Sequence, residues 1–319
     1  MTPTSPKPIL VLDVVGAAQL PPASTMDTIL HPARRIGVVD EAAAVRVLTE
    51  GQEKPGIVVS NVAHPQVFSA ARAIGATTML VTDSVMDRYS ADLGGKEDQL
   101  LDHVIAAIHG AEWLIDELRI SIQKILRHDL FGIDKYLMPR TVIHQRSVRE
   151  SKDREGLNHE VAKFVESLEL PQSLIKMAWG MTEELLMNAI YDAPVRDGKF
   201  IYAHLPRTTP VSLREDELST LSWGCDGRHF AISVRDPFGA LQQRKLYEYI
   251  RKVLRRGSGD IIDTKEGGAG LGLYKILFSS HAMICNVTPG KCTEVIALVD
   301  VELPLRDFSK MPRSIHYFS

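Results

Sequence analysis

From residue 8 to about 95, short apolar runs alternate with stretches whose apolar positions recur at threes and fours. The runs are Pro8–Asp13, Arg35–Asp40, Gly56–Asn61 and Thr77–Thr82, and each reads as a buried strand. Between them, EAAAVRVLTEG and HPQVFSAARAIGA keep helical spacing, with a Gly closing each. Buried apolar strands separated by helices imply a parallel sheet of flavodoxin-like or Rossmann-like kind. Asp13 and Asp40 end the first two strands, either as parts of an acidic pocket or as caps for the helices that follow.

Residues 97 to about 138 read as one long helix. Leu100, Val104, Ile108, Trp113, Leu114, Leu118, Ile122, Ile125 and Leu126 build one apolar face, and Gly110 interrupts it. A long amphipathic helix between two domains is either a connector packed on a neighbour or a homodimerisation seam. The chain therefore divides into residues 1–95, residues 96–138 and residues 139–319, and the chemistry lies in the third part.

That part carries three short signals. In MTEELLMNAIYDA, residues 181–193, Glu184 and Asn188 are four apart on a largely apolar helix and so share one face. A carboxylate and an amide projecting from a buried helix need a polar partner. An amide oxygen can ligate Mg²⁺, and a carboxylate can orient or deprotonate a nucleophile. The second signal, HFAISVRDPFGAL at residues 229–241, is a half-buried strand running out at Asp236 and turning through Pro237 and Gly239. It reads either as a plain turn or as a carboxylate accepting from an exocyclic amine such as adenine N6. The third, EGGAGLGLYKILFSSH at residues 266–281, places Gly267, Gly268, Gly270 and Gly272 before and inside an apolar helix. Freed backbone amides at a helix start form an anion site. No G-K-[ST] follows, so this is no Walker loop.

Taken in order, the helix with Glu184 and Asn188, the strand ending at Asp236 and the glycine-rich helix start resemble the N, G1 and G2 boxes of the GHKL superfamily. That superfamily is shared by histidine kinases and anti-sigma-factor kinases, and the resemblance covers roughly residues 140 to 305. It implies a C-terminal α+β two-layer sandwich, the Bergerat fold, that binds ATP and Mg²⁺. By the same resemblance Asn188 holds the metal, Glu184 is the general base and Asp236 reads the adenine. Gly239 then shapes the base pocket, Gly268, Gly270 and Gly272 cradle the phosphates, and Thr293 reaches the adenine. The G1 segment departs from the family pattern in reading DPFG. A lid with Arg251, Lys252, Arg255 and Arg256 would lie between the boxes, although these cations equally suit a solvated helix. The N-terminal part resembles a receiver domain, but its third strand ends in Ser60 and Asn61, neither of which forms an acyl phosphate; it is read as a pseudo-receiver, with a degenerate ligand-binding or docking domain as the competing reading.

Composition narrows the setting. A net charge of −3 over 319 residues gives no footprint for nucleic acid or an acidic membrane. No apolar run approaches the roughly 20 residues that cross a bilayer. Cys225, Cys285 and Cys292 are scattered, which suits a reducing cytoplasm better than a disulfide scaffold. Three functions fit: a signalling kinase acting on a partner protein, a non-catalytic ATP-dependent switch, or an atypical histidine kinase with His128 as phospho-acceptor. The segment of residues 194–218 exceeds an ordinary connection and reads as a functional insertion.

Overall fold

The computed structural model describes residues 6–84, 101–107, 111–256, 269–303 and 311–319. The chain divides into two compact units, Met1–Leu130 with Met311–His316, and Phe131–Lys310 with Tyr317–Ser319.

In the first unit, β1 (Ile9–Leu12) lies between β2 (Arg35–Val38) and β3 (Ile57–Ser60), and β4 (Thr77–Thr82) and β5 (His103–Ala106) follow outward from β3, all parallel. Successive side chains of a strand point to opposite faces, and both faces here are covered. Ile9, Val11, Ile57, Val59, Met79, Val81 and Ile105 pack with residues of α1 (Ala23–Leu30) and α4 (Ala111–Arg127). Leu10, Leu12 and Val58 pack with residues of α2 (Glu41–Glu50) and α3 (Pro65–Ala73). Double coverage explains why these strands read as unbroken apolar runs. Asp40 caps α2, its carboxylate accepting from the Ala43 amide at 2.7 Å. Asp13 instead accepts from Asn61 Nδ2 at 2.9 Å.

The second unit has an antiparallel run: β6 (His144–Val148), β9 (Ser219–Cys225), β10 (His229–Asp236), β12 (Cys292–Asp300) and β11 (Ala282–Thr288), in that order. β7 (Val195–Arg196) and β8 (Lys199–Phe200) form a separate hairpin. Helix α6 (Gln172–Met187) packs against α5 (Asp153–Ser167), β10 and α8 (Ala269–Phe278), and α8 in turn against α7 (Gln243–Arg256). Leu174, Ala178, Met181, Leu185 and Leu186 form the buried side of α6.

The expected architecture, a small flavodoxin-like domain, a long connecting helix and a separate two-layer sandwich, is corrected. The first unit holds a mixed sheet, β2-β1-β3-β4-β5-β13, in which β13 (Ser314–Phe318) runs antiparallel, and the second holds the antiparallel run β6-β9-β10-β12-β11. Two segments account for the difference. HVIA at 103–106 is a strand inside the stretch read as helix, and among the described residues of that stretch the α-helix spans Ala111–Arg127. SIHYF at 314–318 is a further strand, β13, pairing antiparallel with β5. A run of four apolar residues satisfies either period, so its neighbours decide it. Residues 97–100 and 108–110 of the expected helix lie outside the described residues. Among the described residues no helix is long and apolar enough to cross a membrane.

Candidate functional site

In the second unit a cavity of about 320 Å³ opens between α6, the sheet, α7 and the segment after β7. Its size falls in the range of small-molecule pockets, and its wall is mainly apolar with a few polar groups, the usual composition of such sites. Asn188, Asp192, Asp236 and Thr293 supply polar groups; Leu273 and Val295 supply apolar wall; Lys245 and Tyr249 come from α7. Three residues singled out from the sequence, Asn188, Asp236 and Thr293, thus line one space.

Asn188 begins a π-helical turn, Asn188–Asp192, closed by the Ala193 amide donating to the Asn188 carbonyl at 2.8 Å. Such single wide turns concentrate at functional sites because they re-aim side chains out of helical register. Here the wide turn leaves both Asn188 and Asp192 on the cavity wall. The side-chain Nδ2 of Asn188 is shut off from solvent and has no hydrogen-bond partner. An unpaired buried donor costs roughly 1–3 kcal/mol, so it calls for an explanation. One turn earlier, Glu184 forms an ion pair with Lys275 Nζ of α8 at 2.5 Å.

Asp236 closes β10 opposite Thr293 of β12. Burial pushes its carboxyl up to about 6. The opposing pull comes from hydrogen bonds: the Phe238 amide donates at 2.9 Å, and the Gly239 amide and the Thr293 hydroxyl and amide also donate to it. This is a desolvated acceptor held rigidly at a cavity edge. Asp192 is also raised, first by burial and further by the field of Glu184, while its bond to Arg207 pulls the other way.

The glycines have distinct settings. Gly239 has φ +60, and a Cβ there would lie 2.2 Å from the Thr288 carbonyl oxygen and 2.7 Å from the Gly290 amide nitrogen. It is required by the close approach of the 288–291 turn. Gly272 sits inside α8, where a Cβ would lie 2.8 Å from Glu184 Oε2 and 3.0 Å from Asn188 Oδ1. Its bare Cα lets α8 come against the polar face of α6. Gly270 is in the first turn of α8, while Gly268, with the expected lid glycines 257–259, lies outside the described residues. The side chains of Lys252, Arg255 and Arg256 are likewise outside them. His128 belongs to the first unit, exposed just after α4 with φ +53, the left-handed conformation of a helix stop.

Asp192, Lys245, Tyr249 and the insertion residues Phe200 and Ala203 line the cavity without having been singled out from the sequence. For Asp192 a signal existed, since it follows Asn188 by four positions.

No protein-family model matches the chain, and no curated protein matches it. Solved structures that align with it include a candidate diacylglycerol kinase from Bacillus anthracis str. Sterne, at 9% identity over 98% of both chains with a TM-score of 0.24. Another is a diacylglycerol kinase from the same organism, at 10% identity over 98% of both chains, TM-score 0.24. Likenesses of that size carry no argument about this chain's fold or activity. The expected membership of the GHKL superfamily, preceded by a receiver-like domain, is corrected: no family model supports it. A dozen residues in three boxes specify local chemistry. They do not by themselves specify a family, because the same polar groups can be set on different folds.

Proposed function

We propose that the cavity binds a purine nucleotide, ATP with Mg²⁺, and that this binding is the basis of the protein's activity. One observation carries the reading: the solvent-inaccessible, unpartnered Nδ2 of Asn188 on the wall of a cavity whose other polar edge is the desolvated carboxylate of Asp236. The Asp236 carboxylate is an acceptor for an exocyclic amine, with Thr293 beside it, and the apolar wall suits a flat ring. Asn188, with its amide oxygen close to Gly272, would meet the metal and the phosphates. Mg²⁺ usually takes few protein ligands, its remaining positions being filled by water and phosphate oxygens. When bound, the metal would neutralise phosphate charge.

Glu184 is the carboxylate nearest that end, and in a transfer to a partner protein it would take the proton of the accepting hydroxyl. A second reading, a nucleotide-dependent switch without transfer, is favoured by the Lys275 ion pair, which already occupies this carboxylate. Calorimetric titration with ATP tests the site. Asp236→Asn and Asn188→Ala should each lower affinity at least tenfold, the second only when Mg²⁺ is present. Equal affinity in wild type and both variants rules the assignment out. Incubation with γ-labelled ATP and partner-containing extract separates transfer from switching, because only transfer leaves label on protein.

A further inference from the structure

Residues 194–218 take no part in the main sheet, yet ion pairs and hydrogen bonds fix them beside the cavity. β7 and β8 join through Asp197 (φ +51) and Gly198 (φ +73), two consecutive left-handed residues, as a two-residue type I′ hairpin requires. The base of the hairpin is tied by Arg196, which donates to both oxygens of buried Glu217 at 2.6 and 2.8 Å. Further along, Arg207 donates to Asp192 at 2.6 Å and lies over the Tyr191 ring at 5.1 Å. The Tyr191 hydroxyl in turn donates to the carbonyls of Arg207 and Thr209 at 2.9 and 2.8 Å.

So long a connection loses much conformational entropy when fixed. The fastening sets a particular surface in place: Phe200 and Ala203 become part of the cavity wall. Phe200 nevertheless stays 43% exposed, with Lys245 Nζ of α7 at 5.4 Å from its ring centroid. An aromatic ring half in water at the mouth of an apolar cavity leaves contact area unused.

We propose that residues 195–209 are a cover for the bound ligand, in which Phe200 contacts the flat ring and sets affinity for it. Arg207 is a positioning residue that holds the cover through Asp192. This rests on the reading that the cavity takes a purine nucleotide. Contact between a base and an aromatic side chain is worth about 1–3 kcal/mol, so Phe200→Ala should raise the Kd for ATP by roughly 5- to 140-fold. The factor should be similar for ADP, because the lost contact is to the base. Phe200→Trp should stay within about threefold of wild type.

A second measurement reads the cover itself. ATP should protect the exposed Lys199 peptide bond from trypsin in the wild type. Protection should disappear in Arg207→Ala and return in part in Arg207→Lys, a pattern that a merely structural role for Arg207 would not give. Wild-type protein that binds no nucleotide overturns the cover and the nucleotide reading together. Wild type that binds ATP through Asp236, with Phe200→Ala binding equally well and Lys199 unprotected, overturns the cover alone.

Discussion

Two asparagines, one in each unit, show how differently a buried amide can be treated. Asn61, 5% exposed, donates to Asp13 Oδ1 at 2.9 Å and to the carbonyls of Val14 and Ala18 at 3.1 and 3.0 Å, and accepts from the Val14 amide at 2.8 Å. Its polar atoms are all engaged by the protein. Asn188 Nδ2 is equally hidden from water but has no partner. The first amide closes a loop over the ends of β1 and β3 and is structure; the second keeps an unpartnered donor at a cavity wall. What distinguishes them is satisfaction rather than burial, since an amide fully used by its own fold has nothing left for a substrate.

The largest effect should come from removing the satisfied one. Asn61→Ala leaves the Val14 amide, two carbonyls and the Asp13 carboxylate short of partners at once. Each such loss costs about 1–3 kcal/mol before relaxation and water entry, so the net loss should be about 2–4 kcal/mol, read from the urea midpoint at unchanged slope. A loss below about 1 kcal/mol would mean that water replaces the amide, and would break the contrast with Asn188.

Asn61 also shows where sequence reading stopped. β1, β3 and β4 fall on the apolar runs because both faces of these parallel strands are buried, a plain pattern in a chain. That Asn61 could not be an acyl-phosphate acceptor was legible from its chemistry; that it is a hub was not, because its four partners come from a loop with no periodicity. β5 failed for a related reason, four apolar residues inside a longer helical pattern. Within the cavity, Asn188, Asp236 and Thr293 were legible because each combines a polar group with an apolar element that must bury it. Phe200, Lys245 and Tyr249 were not, since an aromatic or a lysine at a helix or hairpin surface looks like any other. The Asp197–Gly198 pair is a hairpin signal that the reading of this segment as an insertion does not use, and nothing in sequence says what a hairpin covers.

A middle-sized effect sharpens the comparison through pH. His103 of the first unit is held well below its ordinary value, chiefly by burial and then by the fields of His316 and Lys124. His316 also bonds Glu117 Oε1 at 2.8 Å, and Glu117 accepts from Trp113 at 2.9 Å. The unfolded chain therefore takes up a proton near 6.5 that the folded unit refuses, and stability is lost as pH falls below that value. The slope approaches 1.4 kcal/mol per pH unit until the folded value is reached. Asp236 has the opposite sign. Its folded value of about 6 exceeds the ordinary 3.8, so the folded protein keeps a proton that the unfolded chain releases, and this group adds stability as pH drops through that window. Denaturation from pH 7 to 5 should accordingly show a shallower acid slope in His103→Gln and a steeper one in Asp236→Asn. The same slope in both variants would remove the assigned cause.

The smallest expected change in stability is the most informative. Asn188→Ala deletes a donor that bonds nothing in the ligand-free protein, so the desolvation penalty of that donor disappears with it. Against this stands the loss of packing by a small side chain near Gly272, also modest. The two terms are of similar size and opposite sign, and the urea midpoint should move by less than the equivalent of about 1 kcal/mol, in either direction. Saturating Mg²⁺–ATP should then raise the stability of the wild type and do so far less for the variant, because only a ligand that binds the folded state stabilises it. A large loss in the ligand-free variant would show that Asn188, like Asn61, is spent on the fold, and the difference between the two amides would vanish.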